Sequence, residues 1–162
     1  METLYSPWRM AYIESAEKTP GCIFCEFPKK DDDEALLILH RGKSCFVIMN
    51  AFPYNPGHLM VVPYRHIAEY EELQDEELLE MNRLAGECIA ALKKAMSPHG
   101  FNLGVNLGRV AGAGVEGHVH LHIVPRWSGD TNFITVTGQT RVLPEALPVT
   151  WAKLREALLA RG

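Results

Sequence analysis

From His118 to His122 the chain alternates histidine with an aliphatic residue, His-Val-His-Leu-His, and runs on through Ile123, Val124 and Pro125. A period of two is the period of a β-strand, whose residues i, i+2 and i+4 share one face. The pattern predicts a strand with His118, His120 and His122 on one side. Val119, Leu121 and Ile123 lie on the other, against a helix. Three chemistries fit such a face: a metal site, a nucleophilic active site, or a solvated strand decorated with imidazoles. The last is the weakest, because three of the chain's seven histidines fall within five positions. Alternating histidines serve zinc hydrolases, but those sites also need an acid to order water, and this segment offers only Glu116.

The rest of the chain supplies a sheet for that strand. Ala35 to Arg41, Ser44 to Asn50 and His58 to Tyr64 are short, apolar runs, with a tight turn at Arg41-Gly42-Lys43 and a longer one from Pro53 to Gly57. Leu78, Met81, Leu84, Cys88 and Leu92 recur at helical spacing between an N-cap at Asp75 and Met96, and Ser97-Pro98-His99-Gly100 ends that helix. Phe101 to Gly108 and His118 to Pro125 read as two further strands. Asn132 to Thr137 reads as another, and Val149 to Leu159 as a closing helix. Strands joined by turns with one long helix inserted predict an antiparallel α+β domain spanning residues 1–162.

Composition narrows the function. A net charge of −4 argues against a nucleic-acid binder working through a basic surface. No apolar run approaches the roughly 20 residues that span a bilayer. The start, METLYSPWRMAYIES, lacks a basic stretch followed by an apolar one, so no secretory signal is expected. Four cysteines in that setting point to thiols and a cytoplasmic protein.

Gly112 to Gly117 satisfies G-x-G-x-x-G, yet the dinucleotide fingerprint requires a helix to follow, and here a strand follows. What remains is a loop whose backbone N–H groups can approach an anion closely. A phosphate cradle beside histidines suggests phosphorus chemistry with an imidazole nucleophile.

The motif His118-Val-His120-Leu-His122-Ile-Val resembles that of the histidine triad family. The similarity extends to CIFC, to MNAFPYNPGHLMVVPYRH and to GFNLGVNLGRVAGAGVEGHVHLHIVPRWSGDTNF, in the family's order over roughly residues 5 to 140. The ending PRWSGDTNF is similar to the branch that handles diadenosine polyphosphates. The resemblance implies a histidine-triad fold and a homodimer with its sheet extended across a two-fold axis. It also implies cleavage of an adenine dinucleotide such as diadenosine tetraphosphate through a covalent nucleotidyl-histidine.

On that resemblance His120 is the nucleophile, and a neutral imidazole is nucleophilic at pH 7. Its second nitrogen needs a carbonyl to hold its proton. His122 would bond a phosphate oxygen or protonate the leaving group. Gly114 and Val115 would bind the α-phosphate through the backbone, Asn50 ribose hydroxyls, Asn106 phosphate, and His58 would support the nucleotide. Phe24, Phe46 and Ile48 are candidates for adenine contact, and Trp127 for covering the outer part of a dinucleotide. His40 and His99 receive no role.

Cys22-Ile-Phe-Cys25 is either a redox pair or half of a zinc site, and the absence of a βαβ pattern weakens the redox option. The resemblance supplies the other half, His66 and His118, which with the two thiolates make a closed, structural zinc site. Cys45 and Cys88 read as core thiols. Two rivals stand beside the nucleotidyl transferase: a zinc hydrolase using the triad as ligands, and a nucleotide-binding regulator with vestigial activity. Between phosphorylase and hydrolase, the AGAGVEGH loop and PRWSGDTNF favour phosphorylase. Arg109 and Arg126 are the nearest cations for a second anion, unless Glu116 and Asp130 pair with them. Gly114 stands where some phosphorylases carry a hydroxyl residue.

Overall fold

The computed structural model describes residues 21–130 and 144–160. The strand expected at 132–137 and the family-like segment before residue 21 lie outside the described residues. A four-residue helix α1 (Ile23–Glu26) and a 3-10 turn lead to strands β1 (Ile38–Arg41), β2 (Cys45–Met49) and β3 (Leu59–Pro63). The long helix α2 (Asp75–Met96) follows, then β4 (Gly100–Val105), β5 (Leu121–Arg126) and α3 (Leu147–Leu159). The five strands form one sheet in the order β1-β2-β3-β5-β4, antiparallel at every pairing. This is the α+β architecture the turns and the single long helix predict.

One face of the sheet packs on α2 and α3. Val47, Met49, Leu59, Val61 and Ile123 meet Met81, Leu84, Cys88, Leu92 and Leu154 in the main core. A second apolar cluster lies on the opposite face, where Phe24 packs on Ile38, Phe46, Ile48, Met60 and Val62. Coverage from both sides explains why β2 and β3 are buried along their whole length and show no alternation. The main core also encloses Cys45 and Cys88, whose thiols burial pushes up to about 12, so both are inert.

The boundaries shift where a local bond outweighs the pattern. β5 begins at Leu121, not His118, because the Val119 N–H donates to the Ile67 carbonyl (2.7 Å) instead of joining the ladder. The two-sided division survives, since Val119 and Ile123 are core residues and Leu121 packs against them. Asp75 is the first helical residue, and Gln74 takes the N-cap position, its N–H bonded to the Glu77 carboxylate (2.9 Å). α3 starts two residues early because Pro148 suits a first helical turn.

Two side-chain devices hold the sheet to its helices. Trp151 donates its indole N–H to the Ile38 carbonyl (3.0 Å), and Arg155 bonds the Leu39 carbonyl, which covers the β1 edge. The Glu80 carboxylate accepts the backbone N–H groups of Lys43, Ser44 and Cys45. Burial works against its charge, but those donors outweigh burial and lower its pKa. Gly42 is obligatory in this turn, because a Cβ there would meet the Cys45 carbonyl at 2.7 Å and Glu80 Oε1 at 2.9 Å.

Replacing Glu80 with Ala leaves three backbone donors of the β1–β2 turn without their acceptor. The expected loss is about 3 kcal/mol, read as a fall in Tm in thermal denaturation. A change of under 1 °C contradicts this account of the turn.

Candidate active site

The histidines are wired by hydrogen bonds whose direction fixes each tautomer. His120 Nδ1 lies 2.8 Å from the His118 carbonyl, an acceptor only, so Nδ1 carries the proton and Nε2 keeps its lone pair. The carbonyl expected to hold the proton of the second His120 nitrogen is therefore that of His118. His58 Nδ1 accepts the Tyr54 backbone N–H (3.1 Å), which puts the His58 proton on Nε2. That N–H donates to His122 Nδ1 (2.9 Å), and the proton of neutral His122 is then on Nε2. Asn106 Nδ2 lies 3.5 Å from that nitrogen, and with the proton on Nε2 both are donors, so the relay ends at His122. The site thus presents a lone pair on His120 and a donor on His122, with ring centroids 4.7 Å apart.

Burial keeps both rings neutral. It lowers the His120 pKa, with the bond to the His118 carbonyl in opposition. It lowers His122 to about 4, assisted by the neighbouring His120.

His118 itself is fully buried and faces a different group of residues. Its Nε2–H donates to the Pro63 carbonyl (2.8 Å), leaving Nδ1 bare. That nitrogen lies 3.3 Å from Cys22 Sγ, 3.6 Å from Cys25 Sγ and 3.4 Å from His66 Nδ1, and His66 Nδ1 lies 3.3 Å from Cys25 Sγ. The four ligand atoms are within 4.8 Å of one another. Tetrahedral zinc, with bonds of about 2.3 Å to sulfur and about 2.05 Å to nitrogen, sets nitrogens about 3.3 Å apart and nitrogen from sulfur about 3.6 Å. The cluster matches that shape, and the Pro63 carbonyl provides the outer bond that fixes a ligating imidazole. Among the described residues this is the one group of three or more His, Cys, Asp or Glu placed to hold a metal, and of the triad only His118 belongs to it. His122, with Nδ1 accepting from His58 and its proton on Nε2, has no lone pair to offer a metal, which counts against the triad as a zinc-ligand set.

A cavity of about 420 Å³ opens beside His120 and His122. Ile23, Phe24, Leu37 and Ile48 give it apolar walls, and Asn50, Gly112, Gly114 and Val115 line it as well. Phe24, between the two thiols in sequence, packs its ring 5.0 Å from His120 and 5.5 Å from His118. The knuckle that would hold zinc is also a wall of the cavity.

Most of the residues singled out by sequence converge here. Asn50 lines the cavity and also caps its own turn, its Oδ1 accepting the Phe52 N–H (2.9 Å). Phe24 and Ile48 line it, whereas Phe46 is wholly buried and stacks on Tyr64. Asn106 borders a second cavity on the far side of His122. Trp127 lines neither cavity. Arg126 grips Asp130 through two nitrogens (2.6 and 2.9 Å), and Arg109 is 4.0 Å from Glu116. Tyr54 and Leu37 are additions: Tyr54 stacks on His58 and His122. Leu37 reaches the cavity from a left-handed backbone conformation (φ 61°) at the mouth of β1. Its aliphatic side chain gave no sign of that conformation in the sequence.

Residues 33–129 match the HIT domain family. An AP-4-A phosphorylase of Mycobacterium tuberculosis is 43% identical over 155 residues, covering 91% of this chain and 79% of that protein. An adenosine 5'-monophosphoramidase of Schizosaccharomyces pombe is 32% identical over 65% of this chain and 74% of its own length. Among solved structures, a zinc-bound histidine triad protein from Mycobacterium smegmatis superposes with a TM-score of 0.71 at 25% identity, over 87% of this chain and 95% of that one. The chain belongs to the histidine triad family.

Two outcomes follow from this geometry. Cys22→Ser removes a ligand from the cluster. Purified wild type should carry one zinc per chain and the variant none, with Tm lowered by roughly 10 °C, since metal binding is coupled to folding. Wild type free of zinc when prepared without chelators contradicts the assignment. For His122, the unfolded chain takes up a proton near pH 6.5 and the folded chain only near 4. Stability is therefore lost as pH falls through that window, by about 3 kcal/mol at its foot. An NMR titration should find the His122 ring neutral at pH 5.5, and a midpoint above 6 contradicts the burial argument.

Proposed function

We propose that this protein is a nucleotidyl transferase that cleaves diadenosine polyphosphates, with His120 as nucleophile and inorganic phosphate as acceptor. The observation that carries the reading is the His120 tautomer. A buried, neutral imidazole holds its Nδ1–H on the His118 carbonyl and keeps an Nε2 lone pair beside a nucleotide-sized cavity. The 43% identity to an AP-4-A phosphorylase supports the substrate class.

In this mechanism the nucleoside sits between the apolar walls, with Asn50 on the ribose and the backbone at Gly114 and Val115 on the α-phosphate. His120 Nε2 forms a bond to the α-phosphorus as the P–O bond to the departing polyphosphate breaks, and the electron pair leaves with that oxygen. His122 Nε2–H donates to the phosphate oxygens, held in place by His58. A phosphate oxygen then attacks the same phosphorus, the N–P bond breaks, and the pair returns to His120. The product is ADP.

The reading includes a structural zinc on Cys22, Cys25, His66 and His118. These four residues would hold the ion as a closed structural site, and it would tie the knuckle to the His118 segment. It also includes a homodimer formed along β4, an edge strand of the described sheet, near which Leu103 and Leu107 are half exposed. No helix among the described residues is long and apolar enough to cross a membrane. A cytoplasmic setting suits four free thiols, two of them in the metal cluster.

Diadenosine tetraphosphate with phosphate should yield ADP and ATP. AMP and ATP at every phosphate concentration make the protein a hydrolase, and no turnover favours a binding regulator. His120→Ala should lose at least ~10⁴-fold in kcat, the scale of removing a covalent nucleophile, and still bind AMP. Activity within tenfold of wild type overturns the assignment.

A further inference from the structure

Among the described residues, the histidine-bearing face of the sheet is covered at the β1–β3 end and open at the β4 end. Over β1, β2 and β3 it lies under the Cys22–Cys25 knuckle and Phe24. At the β4 end the register sets Gly104 opposite His122, Asn102 opposite Val124 and Gly100 opposite Arg126. A Cβ built at Gly104 or Gly100 would meet nothing within 4 Å. The opening is a second cavity of about 290 Å³, lined by Asn102, Gly104, Asn106 and Arg126, with His122 and Tyr54 at its boundary. Those two boundary residues also line the nucleotide cavity, so the two spaces meet at the donor of the relay.

We propose that this second cavity binds the departing half of the dinucleotide, a nucleoside polyphosphate; the proposal rests on the function argued above. The first support is the line of attack. His120 must approach phosphorus opposite the bond that breaks, so the leaving group extends away from His120. Along the same face the next residue is His122, and beyond it lies this cavity. The second support is the donor set. Arg126 binds Asn102 Oδ1 (2.8 Å), which fixes that amide and leaves its N–H₂ with no partner among the described residues. Asn106 adds a second amide. Asp130 offsets the guanidinium charge through two bonds. Amide donors with little net charge suit the hydroxyl and phosphate oxygens of a group that must dissociate after each turnover. The acceptor displaces His120 along the same line, so phosphate enters the position that the polyphosphate has left.

The cavity is tested by binding, in the His120→Ala background where no turnover occurs. Calorimetry should find diadenosine tetraphosphate bound at least tenfold tighter than AMP. Adding Asn102→Ala should weaken the dinucleotide roughly fivefold to tenfold and leave AMP unchanged. Gly104→Val, which fills the opening from β4, should act the same way. Equal affinities for AMP and dinucleotide, or equal losses for both in the variants, overturn the cavity assignment and leave the nucleotide site standing. Failure of either ligand to bind refutes the functional reading itself, and the cavity assignment with it. Sedimentation of the same variants gives one more refuting outcome: altered oligomeric state with unchanged dinucleotide affinity assigns this face to a second copy of the chain.

Discussion

Much of this protein converges on His118. Its Nε2–H is committed to the Pro63 carbonyl at the end of β3, its Nδ1 faces Cys22, Cys25 and His66, and its own carbonyl receives the Nδ1–H of His120. A single residue therefore ties the N-terminal knuckle to the sheet and sets the tautomer of its neighbour two positions on. The first link is a matter of stability, the second of reactivity. Because the side chain makes one link and the backbone carbonyl the other, the thiol–imidazole cluster and the orientation of His120 share a residue without competing for an atom.

The electrostatics of the site follow from the same economy. Burial holds the rings of His120 and His122 in the neutral form. An imidazole kept neutral is a nucleophile over a wider pH range than an exposed one. Directed bonds from backbone groups then decide which nitrogen carries the proton, from Tyr54 through His58 to His122 and from the His118 carbonyl to His120. At the rim Arg126 and Asp130 neutralise each other.

The sheet was legible because its strands are short apolar runs cut by Gly and Pro turns, and because alternation separates Val119 and Ile123 from the histidines. The start of β5 was not legible, since the bond from Val119 to Ile67 joins segments distant in sequence. The Cys22–Cys25 spacing announces a metal or redox pair, but only the fold brings in His66 and His118, 41 and 96 residues from their thiol partners. Phe46 and Ile48 of β2 show another limit, since Ile48 lines the cavity and Phe46 does not. On a strand buried on both faces, apolar character does not reveal which side chains meet a ligand. The second cavity left no mark either, because it depends on Gly104 of β4 standing opposite His122 of β5.

The central claim is that the His120 Nε2 lone pair takes up the nucleotidyl group. Mixing the protein with diadenosine tetraphosphate in the absence of phosphate, quenching within milliseconds under conditions that preserve phosphoramidates, and mapping the peptides by mass spectrometry tests it directly. An added adenylyl group on His120 is the expected result. An adduct on His122 or His58, or turnover with no adduct on any histidine, contradicts the account.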